Sequence, residues 1–154
     1  MNVDGALARA YADAQYVIEI PDGPLTRRIG HIDANADARL RAHGRRRHWF
    51  IVTPCNPRSQ AQSDTYNEAR LRAMRQQLRE SACRYVETLA CANDRTWSEA
   101  GFCIFDLAED DARMLGRAYE QNAIVGAALD SAPHLIWLDA GTGAKRGSQQ
   151  VSKA

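Results

Sequence analysis

The sequence is poor in the features that usually announce a function. Its 154 residues contain no HExxH, no Gly-x-Ser-x-Gly elbow and no phosphate-loop motif, so three common catalytic classes have no anchor. No apolar run approaches the length of a bilayer span. The start, MNVDGALARAYADA, has no cationic segment followed by an apolar run, which argues against a secretory signal. Cys55, Cys83, Cys91 and Cys103 show no CxxC spacing, and a zinc site needs a tighter Cys/His cluster than this. The last three of these thiols lie among apolar residues, where cysteine serves as a small hydrophobe. Net charge is only +1, giving no overall pull toward nucleic acid or membrane. Arg greatly outnumbers Lys, a bias that a GC-rich genome explains as well as chemical need. These absences set the expectations: a bacterial-type cytoplasm, no disulfides, no metal, no cofactor and no membrane, with an oligomeric state that is not legible.

What remains is ordinary globular material, 45% apolar and 25% charged. The length fits one domain, expected over residues 1–139, followed by a disordered tail over 140–154. Residues 3–14 carry Leu7, Ala10, Tyr11 and Ala14 at helical spacing. QYVIEI, the turn PDGP and LTRRIG then read as a hairpin, with Gly23 free to take a positive φ. DANADARLRAHG reads as a helix with Gly44 just past its end. HWFIVT is a continuous apolar run, expected as a central strand covered on both faces. A helix over about Ser63 to Ser81 follows, with Leu71, Met74 and Leu78 as its stripe. RYVETLA, GFCIFDL, the helix AEDDARMLGRAYEQ, NAIVGAA and HLIWL complete the order. From HWFIVT onward this is the split βαβ, ferredoxin-like sequence, plus one strand and the N-terminal hairpin. The fold class is therefore α+β, with helices packed on a mainly antiparallel or mixed sheet.

The most informative stretch is IVTPCNPRSQAQSDTYNEARL, a buried strand opening into a polar junction. Projecting the stripe back from Leu71 makes Asn67 core-facing, and its amide must then be paired, most simply with PCNPRS. Ser63 or Thr65 caps the helix, and Thr65 with Glu68 matches a capping box. These groups either fix a loop or, with Arg58 at a helix N-terminus and Asn56 and Ser59 beside it, receive a polar or anionic ligand. Loop fixing is the plainer reading. Gln121 and Asn122 pose the same choice. Asn122 ends the helix in a left-handed turn, or both amides join Asn67 in one cluster near Asn56.

GPLTRRIG, NPRSQAQSDTYNEARL, WSEAGF and LGRAYEQNAIV together resemble the bacterial family catalogued as domain of unknown function 3293. The resemblance runs from Tyr11 to Leu138. It implies candidate positions at Asn56, Pro57 and Ser59, at Asn67, at Trp97 and Glu99, and at Gln121, Asn122 and Ala123. It implies no reaction. Cys55 stands where that pattern has an aromatic residue and Gly101 where it has Ser, which counts against Cys55 as a family nucleophile.

Other constellations are weaker. His48 begins the strand that ends before Cys55, too distant to act as its base. RAHGRRRHW is the most basic run, but stacking aromatics and RNA motifs are missing, so an exposed turn is favoured over nucleic acid. Glu99 is a surface carboxylate by default, with a general base or a partner for Arg58 as the sharper readings. The leading expectation is a non-catalytic domain holding a small polar ligand between Asn56, Arg58, Ser59, Asn67, Glu99, Gln121 and Asn122. The alternatives are a hydrolase or transferase using Glu99 as base, and a structural or regulatory module that binds a protein partner.

Overall fold

The computed structural model describes residues 5–45 and 47–138. The expected tail over 140–154 lies outside them. Along the chain run α1 (Gly5–Asp13), β1 (Gln15–Ile20), β2 (Gly23–Arg27), α2 (Ala34–Ala42) and β3 (His48–Val52). A 3-10 turn (Pro57–Ser59) leads to α3 (Asp64–Glu80), β4 (Arg84–Cys91), β5 (Ser98–Phe105), α4 (Glu109–Ala118), β6 (Ala123–Ala128) and β7 (His134–Trp137).

Seven strands form one sheet in the order β2-β1-β4-β5-β3-β6-β7, and every pairing is antiparallel. The inner four, β4-β5-β3-β6, have the ferredoxin-like arrangement, with β5 between the two strands joined by α3. The N-terminal hairpin extends the β4 edge and β7 extends the β6 edge. The expected α+β class and strand order are both found.

Strand alternation divides the apolar run of β3 between two cores. Phe50 and Val52 join Leu71, Met74 and Leu78 of α3 and Leu115 of α4 on one face. Trp49 and Ile51 face Ile18 and Leu25 of the hairpin, with Leu40 of α2, on the other. Burial on both faces is why this strand lacks the polar alternation of a half-exposed one.

The sheet curls into a half-barrel. Tyr11, just before β1, meets Trp137 of β7 edge-on with ring centroids 5.8 Å apart. Four strands separate β1 from β7 in the sheet order, so only curvature brings these rings together. The concave face, with Trp49 and Ile51, carries two further devices. Arg27 and Asp37, 1% and 0% exposed, form an ion pair at 3.3 Å. The Arg45 guanidinium packs 4.4 Å from the Phe105 ring centroid. The basic run is therefore not one solvated patch: Arg45 is turned inward, Arg47 is exposed and Arg46 lies outside the described residues. No helix among the described residues is long and apolar enough to cross a membrane.

Candidate functional site

The polar junction begins where β3 ends. Thr53 donates its hydroxyl to the Ala100 carbonyl at 2.6 Å and accepts the Cys55 N–H at 3.1 Å, tying the chain to β5 as it leaves the sheet. Gly101 permits this approach. A Cβ there would stand 2.9 Å from the Val52 carbonyl oxygen.

Three residues of the next four adopt left-handed backbone: Asn56 (φ 48°), Arg58 (φ 54°) and Ser59 (φ 60°). Each costs of order 1 kcal/mol for an L-residue, less for Asn, and persists only where neighbours over-determine it. The neighbours are evident. Arg58 donates its N–H to the Glu120 carbonyl at 2.7 Å, and Arg70 donates Nε to the Pro54 carbonyl at 2.5 Å and an Nη to the Tyr119 carbonyl at 2.6 Å. Gln121, 6% exposed, donates Nε2 to the Cys55 carbonyl at 2.9 Å. Buried carbonyls of the loop are thus satisfied by an arginine of α3 and an amide beyond α4.

Asn56 is the hub. Its N–H and Oδ1 are both paired with the Asn67 amide, Oδ1 also accepts the Gln62 N–H at 2.9 Å, and Nδ2 donates to Glu99 Oε2 at 2.9 Å. A second group forms around the Ser59 hydroxyl, which bonds to the Tyr11 hydroxyl at 3.3 Å and accepts Asn122 Nδ2 at 2.9 Å. The inward-facing Asn67 and its pairing with the loop are as the helical spacing predicts.

Two local expectations are corrected. Ser63, not Thr65, caps α3, accepting the Tyr66 N–H at 3.1 Å; Thr65 is already inside the first turn. Asn122 does not close α4. Glu120 takes the left-handed position (φ 60°), with Glu120 N–H bonded to the Arg117 carbonyl and Gln121 N–H to the Gly116 carbonyl. That pattern satisfies the last helical carbonyls before Asn122 is reached.

Glu99 lies on β5 two residues before Gly101 and four before Cys103, so alternation turns it toward the concave core. It is half-buried rather than a surface carboxylate, and burial raises its pKa while the Asn56 hydrogen bond opposes the rise. Arg58 is not its partner. The left-handed backbone at Arg58 sets that side chain, 64% exposed, 3.8 Å from Glu120 instead. Among the described residues no hydrogen-bond donor reaches Glu99 Oε1.

A cleft of about 260 Å³ opens here, lined by Leu7, Ala10, Tyr11, Asn56, Ser59, Ala61, Trp97, Ser98 and Glu99. Beside it is a smaller cavity of about 30 Å³, bounded by Tyr16, Ile51, Thr53, Thr88 and Leu135 among others. Tyr11, Trp97 and Glu99 line both and form the wall between them. Of the seven residues singled out in the sequence, Asn56, Ser59 and Glu99 line the cleft. Asn67, Gln121 and Asn122 brace the loop from behind, and Arg58 points away. Cys55 is buried, and burial raises its thiol pKa, the wrong direction for a nucleophile.

Residues 52–124 match the family model described as protein of unknown function, DUF3293. Over those residues the chain is similar to that family. The match is narrower than the Tyr11–Leu138 resemblance and leaves GPLTRRIG outside, yet it includes all seven singled-out positions. No curated protein and no solved structure matches the chain. The matched residues supply the loop, α3, β4, β5 and α4, whereas Tyr11, Leu7 and Ala10 of the cleft come from α1, before the match begins.

Sequence reasoning missed Tyr11 and Arg70. Tyr11 sits on the apolar stripe of α1 and gives no separate signal. Arg70 had one: it follows Asn67 by three and precedes Leu71, so it lies at the margin of the buried face of α3.

Proposed function

We propose that this chain is a small binding domain whose cleft, walled by Tyr11, Asn56, Ser59, Trp97 and Glu99, accepts a small polar ligand. One observation carries the reading: Glu99, on β5 beside a loop held in a costly conformation, lines an open cleft and has an oxygen that no donor among the described residues reaches. A loop fixed only for its own sake needs one acceptor for Asn56 Nδ2, which Glu99 Oε2 supplies and a neutral amide oxygen would supply as well; Asn67 pairs the N–H and the Oδ1 of Asn56. Aromatic and apolar walls with a few convergent polar groups are the usual make-up of a ligand pocket. The cleft favours a ligand that donates hydrogen bonds over an anion. Arg58 is turned to Glu120, and Ser63 occupies the start of α3.

The test is a fragment screen on the ¹⁵N-labelled full chain, read by amide shifts. Polar fragments are expected to move Asn56, Ser98 and Glu99 together. If a diverse set leaves these amides still, the binding role is wrong.

The second reading is general-base catalysis by Glu99, supported by its burial-raised proton affinity. The Ser59 hydroxyl lines the same cleft, but no hydrogen bond joins it to Glu99 among the described residues, so a base contact has to be made through the ligand. A bound fragment whose reacting group lies within reach of Glu99 would favour this reading.

A further inference from the structure

Among the described residues, Glu99 is the one acidic or basic side chain lining the cleft. The neighbouring arginines are engaged elsewhere. Arg58 faces Glu120, while Arg70 spans the Pro54 and Tyr119 carbonyls with Tyr66 and Tyr119 rings 5.6 and 5.4 Å from its guanidinium. A carboxylate drawn partly out of water without a cation is costly, and an incoming cation removes that cost where an anion adds repulsion. Tyr11 and Trp97 add aromatic surface on the same cleft, which attracts a cation through the ring quadrupole and covers a hydrocarbon skeleton. The volume of about 260 Å³ suits a fragment-sized molecule.

Building on the binding role above, we propose that the cleft selects small organic amines, the protonated ammonium meeting the Glu99 carboxylate and the carbon skeleton lying against Tyr11 and Trp97. The amine class follows from the one contact Glu99 lacks among the described residues. Asn56 holds Oε2 and thereby fixes the carboxylate, leaving Oε1 for the ligand.

Three probes of matched shape test it on the full chain near neutral pH: benzylamine, benzyl alcohol and benzoate, titrated by amide shifts. Benzylamine is expected to bind about tenfold or more tighter than benzyl alcohol, with benzoate weakest. Glu99→Gln is expected to erase that preference and leave benzyl alcohol binding nearly unchanged. Trp97→Leu is expected to weaken benzylamine and benzyl alcohol together. The unaltered protein gives a variant-free check. Benzylamine affinity falls on acidification as Glu99 takes a proton, while benzyl alcohol affinity does not. The titratable neighbours Tyr11, Tyr16 and Cys55 keep their protons through that range, since burial raises all three pKa values. Benzoate binding as tightly as benzylamine, or an amine preference that survives Glu99→Gln, overturns the amine assignment alone. So does silence from all three probes while another polar fragment shifts the same amides. Silence from the whole fragment set overturns the binding role as well.

Discussion

The backbone N–H of Asn56 donates to Asn67 Oδ1 at 3.0 Å, and Asn67 Nδ2 donates back to Asn56 Oδ1 at 2.9 Å. One amide on the first turn of α3 thus imitates a strand partner for a residue in left-handed backbone. Replacing it leaves a part-buried N–H without an acceptor, at a cost of about 1–3 kcal/mol. Asn67→Ala is therefore expected to lose that much in urea denaturation. The Asn56 amide should lose its hydrogen-exchange protection well before the amides of β3 do. Equal protection at both places would show that the loop holds itself.

Glu99→Gln has a signed pH dependence. Burial raises the folded-state pKa, so the folded chain keeps its proton to a higher pH than the unfolded chain does. Stability then falls as pH rises from the ordinary glutamate value through the folded one, and the penalty is fully present above it. Gln does not titrate, and its carbonyl still accepts from Asn56. The variant is expected to be more stable than the parent at neutral pH and to show no gain below about pH 4, where both states are protonated. Denaturation midpoints at the two pH values check it, and a gain of equal size at both would contradict the assignment.

Asp37→Ala is expected to be severe. Asp37 pairs with buried Arg27 at 3.3 Å and accepts the Asp130 N–H at 2.8 Å, so its loss strands a charge in the concave core. Breaking a buried pair from one side costs about 3–5 kcal/mol. Arg39→Ala, which removes the partly exposed pair with Asp22 at 2.8 Å and bonds to the Gly23 and Pro24 carbonyls, is expected to cost much less. Chemical denaturation of both variants gives the contrast.

Gly101→Ser tests the close contact between β5 and the end of β3. The new Cβ would lie 2.9 Å from the Val52 carbonyl oxygen and 3.2 Å from Thr53 Cα, both backbone and unable to swing away. A loss of about 1–3 kcal/mol is expected, as for other overpacked positions. A thermal melt unchanged from the parent would show that the two strands part freely.

How far the sequence carried depends on the range of each interaction. The bounds of α3, its Leu71–Met74–Leu78 stripe and the inward Asn67 follow from a period of 3.6, and the structure has them all. The both-sided burial of β3 follows from its unbroken apolar run. The misreadings have other sources. Ser63 and Thr65 are equally good caps by type, and only backbone geometry chooses between them. Glu120 accepts the left-handed position that composition would give to Asn122. Tyr11 reaches Ser59 across 48 residues, and Gln121 reaches Cys55 across 66 by continuing the β3–β6 register beyond the strands; no local period encodes either contact.

Strand β3 has no early partner. β3 is registered against Phe102 and its neighbours in β5 and against Val125 and its neighbours in β6, all laid down after α3 and β4. Each pairing closes a long loop before any reward is collected, the situation in which folding is slow. Until β5 arrives, Asn56 has no Glu99 to hold, and until β6 is placed, Ser59 has no Asn122. A chain cut before β6 would thus keep every residue that lines the cleft and still lose the strand that sets Asn122 against Ser59, so the cleft depends on an element that does not touch it.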